Sequence, residues 1–145
     1  MTETQTKTEH PAHAAGRRSR EAVQARDKEA WLAVFADDAI VEDPIGPSAF
    51  DPEGKGHRGR DAISAFWDKA IAPTTKIEFV FRDTYQCGNE EANVGRILIT
   101  TGEYQVTVGR GVHLQGRRRG QTGGASRLLG DGPRGRDRAE DFLTR

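Results

Sequence analysis

The sequence is short of the residues that staple, span or pack. Its only cysteine is Cys87, which excludes an internal disulfide and a metal site built on cysteines. No apolar run approaches the roughly 18 residues that cross a bilayer. Met1 to Ala15 lacks the apolar core of a signal peptide, so a soluble lead-in, flexible over residues 1–12, and a reducing cytoplasm are expected. Aromatic residues make up 7% and hydrophobic residues 34% of the chain, a thin supply for a globular core. Lysine is missing from one whole stretch. Gly109 to Arg145 contains nine Arg, no Lys and four acidic residues, a local charge of +5, while the chain as a whole is neutral. Such asymmetry marks a separate tail or a segment of different origin.

What is there fits a single domain, since 145 residues lie within the range that one core serves. A helical pattern runs from His13 to Arg26 with a thin stripe of Ala15, Ala22 and Val23. Asp27 then caps a shorter helix whose buried face is Ala30, Trp31, Val34 and Phe35. Ala39 to Asp43 predicts a strand, stopped by Pro44, and Pro44 to Arg58 reads as a loop with three prolines and three glycines. A third helix starts near Gly59, with Ile63, Phe66, Trp67, Ala70 and Ile71 at helical spacing, and Pro73 ends it.

Strands follow. Ile77, Phe79 and Phe81 share one face of Lys76 to Thr84, Asn93 to Thr101 is a β-branched run, and Tyr104, Val106 and Val108 begin another strand. Helices first and hairpin-linked strands after is the α+β pattern, with three helices on one face of a curved, mostly antiparallel sheet. After Val108 the chain holds nine Gly and nine Arg in 37 residues with no hydrophobic period. Disorder, or loss of the last strands, is expected there.

The segment Val41-Glu42-Asp43-Pro44-Ile45-Gly46 carries the chemistry. On a strand Asp43 shares a face with Val41 and Ala39. If that face lines an apolar interior, desolvation raises the Asp43 pKa, and a carboxylate tuned upward can move a proton from a carbon beside a carbonyl. The plainer alternative is that Asp43 caps the following loop.

The run from Trp31 to Gly46, with its Glu-Asp-Pro-Ile-Gly stretch, closely resembles the Δ5-3-ketosteroid isomerase family. The later Gly59-Arg60-Asp61-Ala62-Ile63-Ser64-Ala65-Phe66-Trp67 looks like that family's third helix. The resemblance spans Ser19 to Val108 and implies the cone-shaped fold shared with nuclear transport factor 2 and with SnoaL-type polyketide cyclases. It implies a cofactor-free, metal-free steroid Δ-isomerase in which Asp43 is the general base, acting through a dienolate. Two donors stabilise the oxyanion in the family, a Tyr on helix one and a protonated Asp on a late strand. Ser19 stands where that Tyr would fall and Trp67 where a further family Tyr on helix three would, so both are candidate oxyanion donors. The late acid would lie just beyond Val108. The expected pocket for a steroid-like ligand is Trp31, Phe35, Val41, Ile45, Phe66 and Phe79, although helical spacing alone would place most of these aromatics in the core. Family members dimerise through the outer sheet face, and a homodimer is expected here. A non-catalytic hydrophobic-ligand binder or a polyketide-cyclase-like protein on the same fold is the alternative.

Two accounts of residues 109–145 stand open. Excess Gly, Arg, Pro and Ala without Lys is what GC-rich coding DNA yields out of frame. Dropping one nucleotide after Val108 lets the segment read as an alternating hairpin with an acid near the donor position. Otherwise the segment is a genuine polyanion-binding tail, with Arg117-Arg118-Arg119 and Arg134 to Arg138 as contacts, although Phe142 is its only aromatic residue. Nucleic-acid binding is not expected. His10 and His13 are an incidental pair on the terminus rather than a metal site, and His57 is expected to be solvated. Gly54, Gly56 and Gly59 spell GxGxxG ahead of a helix, but no strand leads into them and no βαβ unit follows.

Overall fold

The computed structural model describes residues 9–116 and 125–129. The first helix, α1 (Pro11–Ala25), begins as proline at a first turn favours. The His10 ring accepts from the Ala12 N–H at 3.3 Å. Arg26 ends the helix in the left-handed region, and its guanidinium donates to the carbonyls of Ile71 and Ala72 and to the Thr74 hydroxyl. That grip ties the end of α1 to the end of the third helix. Asp27 caps α2 (Lys28–Leu32) by accepting from the Ala30 N–H at 2.9 Å. The α2 helix stops before Val34 and Phe35, earlier than their spacing suggested.

Strand β1 (Ile40–Glu42) and the short β2 (His57–Arg58) flank the loop. Gly56 before β2 has φ +77, and a Cβ there would stand 2.7 Å from the Ile40 side chain. Helix α3 (Gly59–Phe66) continues as a π-helical turn, Trp67–Ile71, closed by Ala72 N–H on Trp67 carbonyl at 2.8 Å. Strands β3 (Lys76–Cys87), β4 (Glu90–Thr101), β5 (Tyr104–Gly116) and β6 (Ala125–Leu129) complete a six-stranded sheet ordered β2-β1-β6-β5-β4-β3. All neighbours are antiparallel except β1 and β6.

The sheet runs past the point where the hydrophobic pattern stops. β5 extends to Gly116, and β6 pairs with both β5 and β1. Ladder bonds use backbone N–H and C=O groups, which glycine and arginine supply as other residues do. The stretches 117–124 and 130–145, with Arg117-Arg118-Arg119, Arg134 to Arg138 and Phe142, lie outside the described residues.

Two irregularities in register shape the interior. One falls between Phe81 and Asp83, the other between Gly95 and Ile97, and Phe81 pairs with Gly95. Bulges increase local twist and bend the strand that carries them. Gly95 lets the strands close up there, because a Cβ would overlap the Val80 carbonyl. The sheet therefore curves around the helices. Ile63, Val41, Phe66, Trp31 and Trp67 form the buried core between the two layers. Among the described residues no helix is long and apolar enough to cross a membrane.

Candidate active site

The curved sheet and the helices enclose a cavity of about 520 Å³, within the range of small-molecule pockets. Its walls are mostly apolar. Ile77, Phe79 and Phe81 come from β3, Ile97 and Ile99 from β4, and Val106 and Val108 from β5. Alternation along each strand places these residues on one face. Trp31 and Phe66 close it from the helical side.

Asp43 lines this cavity directly after β1, together with Val41. Burial among apolar neighbours pushes its carboxyl from the ordinary 3.8 to about 6. No other group contributes to that shift, so desolvation alone is the cause. At pH 7 the group is mostly ionised yet holds protons far better than an exposed Asp.

The residues expected around Asp43 divide into two sets. Ser19, Trp31, Val41, Phe66 and Phe79 line the cavity. Phe35, Trp67 and Ile45 do not. Phe35 packs edge-on against Trp31 with centroids 4.7 Å apart, and Trp67 packs against Trp31 at 5.2 Å with the rings tilted by 47°. Both therefore buttress Trp31, and the buried Trp67 indole is not placed as a donor to the cavity. Helix geometry is the reason, since Phe66, Lys69 and Ala70 occupy the cavity-facing positions around that turn. Ile45 is 38% exposed, beyond the end of β1.

Ser19 is buried, and its hydroxyl oxygen accepts from the Trp31 indole N–H at 3.1 Å. The hydroxyl proton remains to donate. Five polar lining residues escaped sequence reasoning: Arg20, Lys69, Thr74, Asn93 and Thr101. The parity of Ile97 and Ile99 on β4 would have put Asn93 on the inner face. Phe50, from the loop, also lines the cavity and meets Phe66 edge-on at 5.9 Å.

His10, His13 and His57 do not line the cavity. His10 caps α1 and also bonds the Gly88 carbonyl at 2.6 Å, while His13 meets Glu91 at 2.5 Å. Among the described residues no three His, Cys, Asp or Glu side chains converge as metal ligands would. His57 is half-buried rather than solvated. It lies 4.7 Å from the Phe66 ring, and burial lowers its pKa.

The cavity thus joins a mostly apolar lining to one desolvated carboxylate, Asp43, and a helix-borne hydroxyl, Ser19. The family model for the SnoaL-like domain matches residues 17–123. The chain belongs to the SnoaL-like domain family. This SnoaL-like chain is also similar to several solved structures. RV0760c from Mycobacterium tuberculosis is 33% identical, with 83% of this chain and 92% of that one covered and a TM-score of 0.74. The same protein has been solved in complex with estradiol-17beta-hemisuccinate. The Δ5-3-ketosteroid isomerase from Mycobacterium sp. is 33% identical over 86% of this chain and 95% of that one, with a TM-score of 0.73. A computationally designed 17-OHP binder is 31% identical over 87% and 93%, with a TM-score of 0.72. No curated protein matches the sequence.

Proposed function

We propose that this SnoaL-like protein is a steroid Δ-isomerase-like enzyme that moves a proton within a flat, hydrophobic ketone, with Asp43 as the general base. The observation that carries the reading is the desolvated Asp43 carboxyl, raised to about 6 inside a mostly apolar cavity. In the ionised form it takes a proton from a carbon beside the carbonyl, leaving a dienolate. The protonated carboxyl then returns that proton to a second ring carbon, so the enzyme ends as it began. A pKa near the working pH suits both halves of the cycle. The Ser19 hydroxyl donates to the oxygen on which negative charge collects. Similarity to a ketosteroid isomerase at 33% identity supports the reaction class. No cofactor or metal is needed for this chemistry, and a cytoplasmic homodimer joined through the outer sheet face is part of the same proposal.

A second reading is a non-catalytic hydrophobic-ligand binder. It is favoured by Ser19 in place of a stronger phenolic donor and by similarity to a designed 17-OHP binder. Asp43→Asn separates the two. Under the isomerase reading, turnover of a 3-oxo-Δ5 steroid falls by several orders of magnitude while affinity for the conjugated product stays within a few-fold. Turnover that survives the substitution removes Asp43 as the base, and absence of turnover in the unaltered protein favours the binder.

A further inference from the structure

The mouth of the cavity is marked by the lining residues that are exposed: Phe50, Lys69, Pro73, Thr101 and Val106. Away from the mouth, polar groups on the wall are answered within the protein. Arg20 lies 3.7 Å from Glu91, and Asn93 is bonded to Glu91 at 2.8 Å and to Thr84 at 2.7 Å. The Thr74 hydroxyl accepts from Arg26 and donates to the Ile71 carbonyl, each at 2.7 Å.

Lys69 is different. Lys28 pairs with Asp68 at 2.8 Å, Lys55 with Glu53 at 2.5 Å and Lys76 with Glu78 at 2.8 Å. Among the described residues Lys69 is the lysine with no carboxylate at ion-pair distance. Its own helix supplies none. Side chains three or four positions apart meet on a helix, and those positions hold Ala65, Phe66, Ala72 and Pro73. The adjacent Asp68 is engaged by Lys28.

The Lys69 ammonium also stands apart from Asp43. A cation close to that carboxyl would draw its pKa down, yet burial is the only influence on it and acts upward. His57 does respond to Lys69. Burial lowers the His57 pKa, Asp51 opposes, and the Lys69 charge lowers it further. Phe50 and His57 both pack against Phe66, which puts Lys69 on the loop side of the mouth. Trp67 and Ile71, both buried, fix the π-helical turn from which its side chain starts. A lysine stem can lie along an apolar wall while the ammonium stays in water.

We propose that the ligand is an apolar ketone with an acidic group at its outer end, and that Lys69 holds this group at the cavity mouth. The inference rests on the cavity being a site for a flat apolar ketone, and adds that the ketone is an anion. The inner wall is no place for the acid, because Glu91 already answers Arg20 and a second negative charge would meet a buried one. Charge therefore orients the ligand, with its acid outward and its rings inward. An anion at Lys69 is too far from Asp43 to alter the proton affinity of that carboxyl.

The test is equilibrium binding at low ionic strength to the wild type, Lys69→Gln and Lys69→Glu. The two probes are a 3-oxo-Δ4 steroid 17β-carboxylate and its uncharged methyl ester. The wild type is expected to bind the acid about fivefold tighter than the ester, as an exposed ion pair allows. Lys69→Gln should bind the two equally with ester affinity unchanged, and Lys69→Glu should prefer the ester. A lysine in the last turn of a helix also complements the helix dipole, but that role moves stability and not the ratio between two ligands. If the wild type binds the ester and shows no preference for the acid, or if the preference persists in Lys69→Gln, the role of Lys69 is overturned and the cavity reading stands. Binding of neither probe by the wild type overturns the cavity reading and the role of Lys69 with it.

Discussion

The Trp31 indole donates to the Ser19 hydroxyl at 3.1 Å, between a core aromatic on α2 and a cavity-lining residue on α1. The bond holds the Ser19 oxygen still and leaves its proton for a ligand. Ser19→Ala removes both functions. An orphaned buried indole N–H costs about 1–3 kcal/mol, to be read as a lower urea midpoint. Loss of an oxyanion donor costs about 10²–10³ in rate, to be read as a fall in kcat for a 3-oxo-Δ5 steroid.

Asp43 sets the pH dependence. Its folded-state pKa of about 6 lies above the ordinary 3.8, so kcat/KM rises with pH through about 6 and levels off above it. An acidic limb near pH 4 would mean the group is not desolvated when it works.

The same shift has a sign for stability. The folded state binds the Asp43 proton more tightly than the unfolded state, so ionisation works against folding. The cost is absent below about pH 4, grows between 4 and 6, and is complete above that. Asp43→Asn abolishes it. The stability of the variant relative to wild type should therefore improve by about 2–3 kcal/mol from pH 4 to pH 8, measured by guanidinium unfolding at both pH values.

Glu91 is buried between His13, Arg20 and Asn93. Glu91→Gln leaves Arg20 without its counter-charge in a partly desolvated place, where burial already lowers the guanidinium pKa. Loss of one partner from a buried pair costs about 3–5 kcal/mol, and Arg20 is less buried than Glu91, so the lower end is expected. The check is the midpoint of thermal or chemical unfolding.

Gly95 sits where the sheet bends, against Val80 and Phe81. Gly95→Ala has no room for its methyl group without moving backbone, and overpacking of this kind costs about 1–3 kcal/mol. The cavity should change shape as well. Lower stability together with weaker binding of a 3-oxo-Δ4 steroid is the expected outcome, and unchanged binding would show that the bend does not shape the site.

Much of this architecture was legible before the structure. The cap at Asp27, the helix starting at Gly59 and the alternation of Ile77, Phe79 and Phe81 are local patterns, and each element formed where its pattern lies. The end of the sheet was not legible. β5 and β6 pair through backbone atoms in a segment whose side chains carry no hydrophobic period.

By itself the sequence determined the order of the elements from α1 to β5, apart from the short β2, together with the family and the placing of Asp43 on the side of Val41. These follow from periods of 2 and 3.6 residues and from short motifs, which depend only on neighbours along the chain. The tertiary structure alone decided that Phe35 and Trp67 stand behind Trp31 while Arg20 and Asn93 reach the cavity. A helix face or a strand parity shows which residues turn inward. Whether an inward residue meets a hollow or another side chain depends on where the sheet bends, and that is set by contacts between Gly95 and Val80, distant in sequence and adjacent in space.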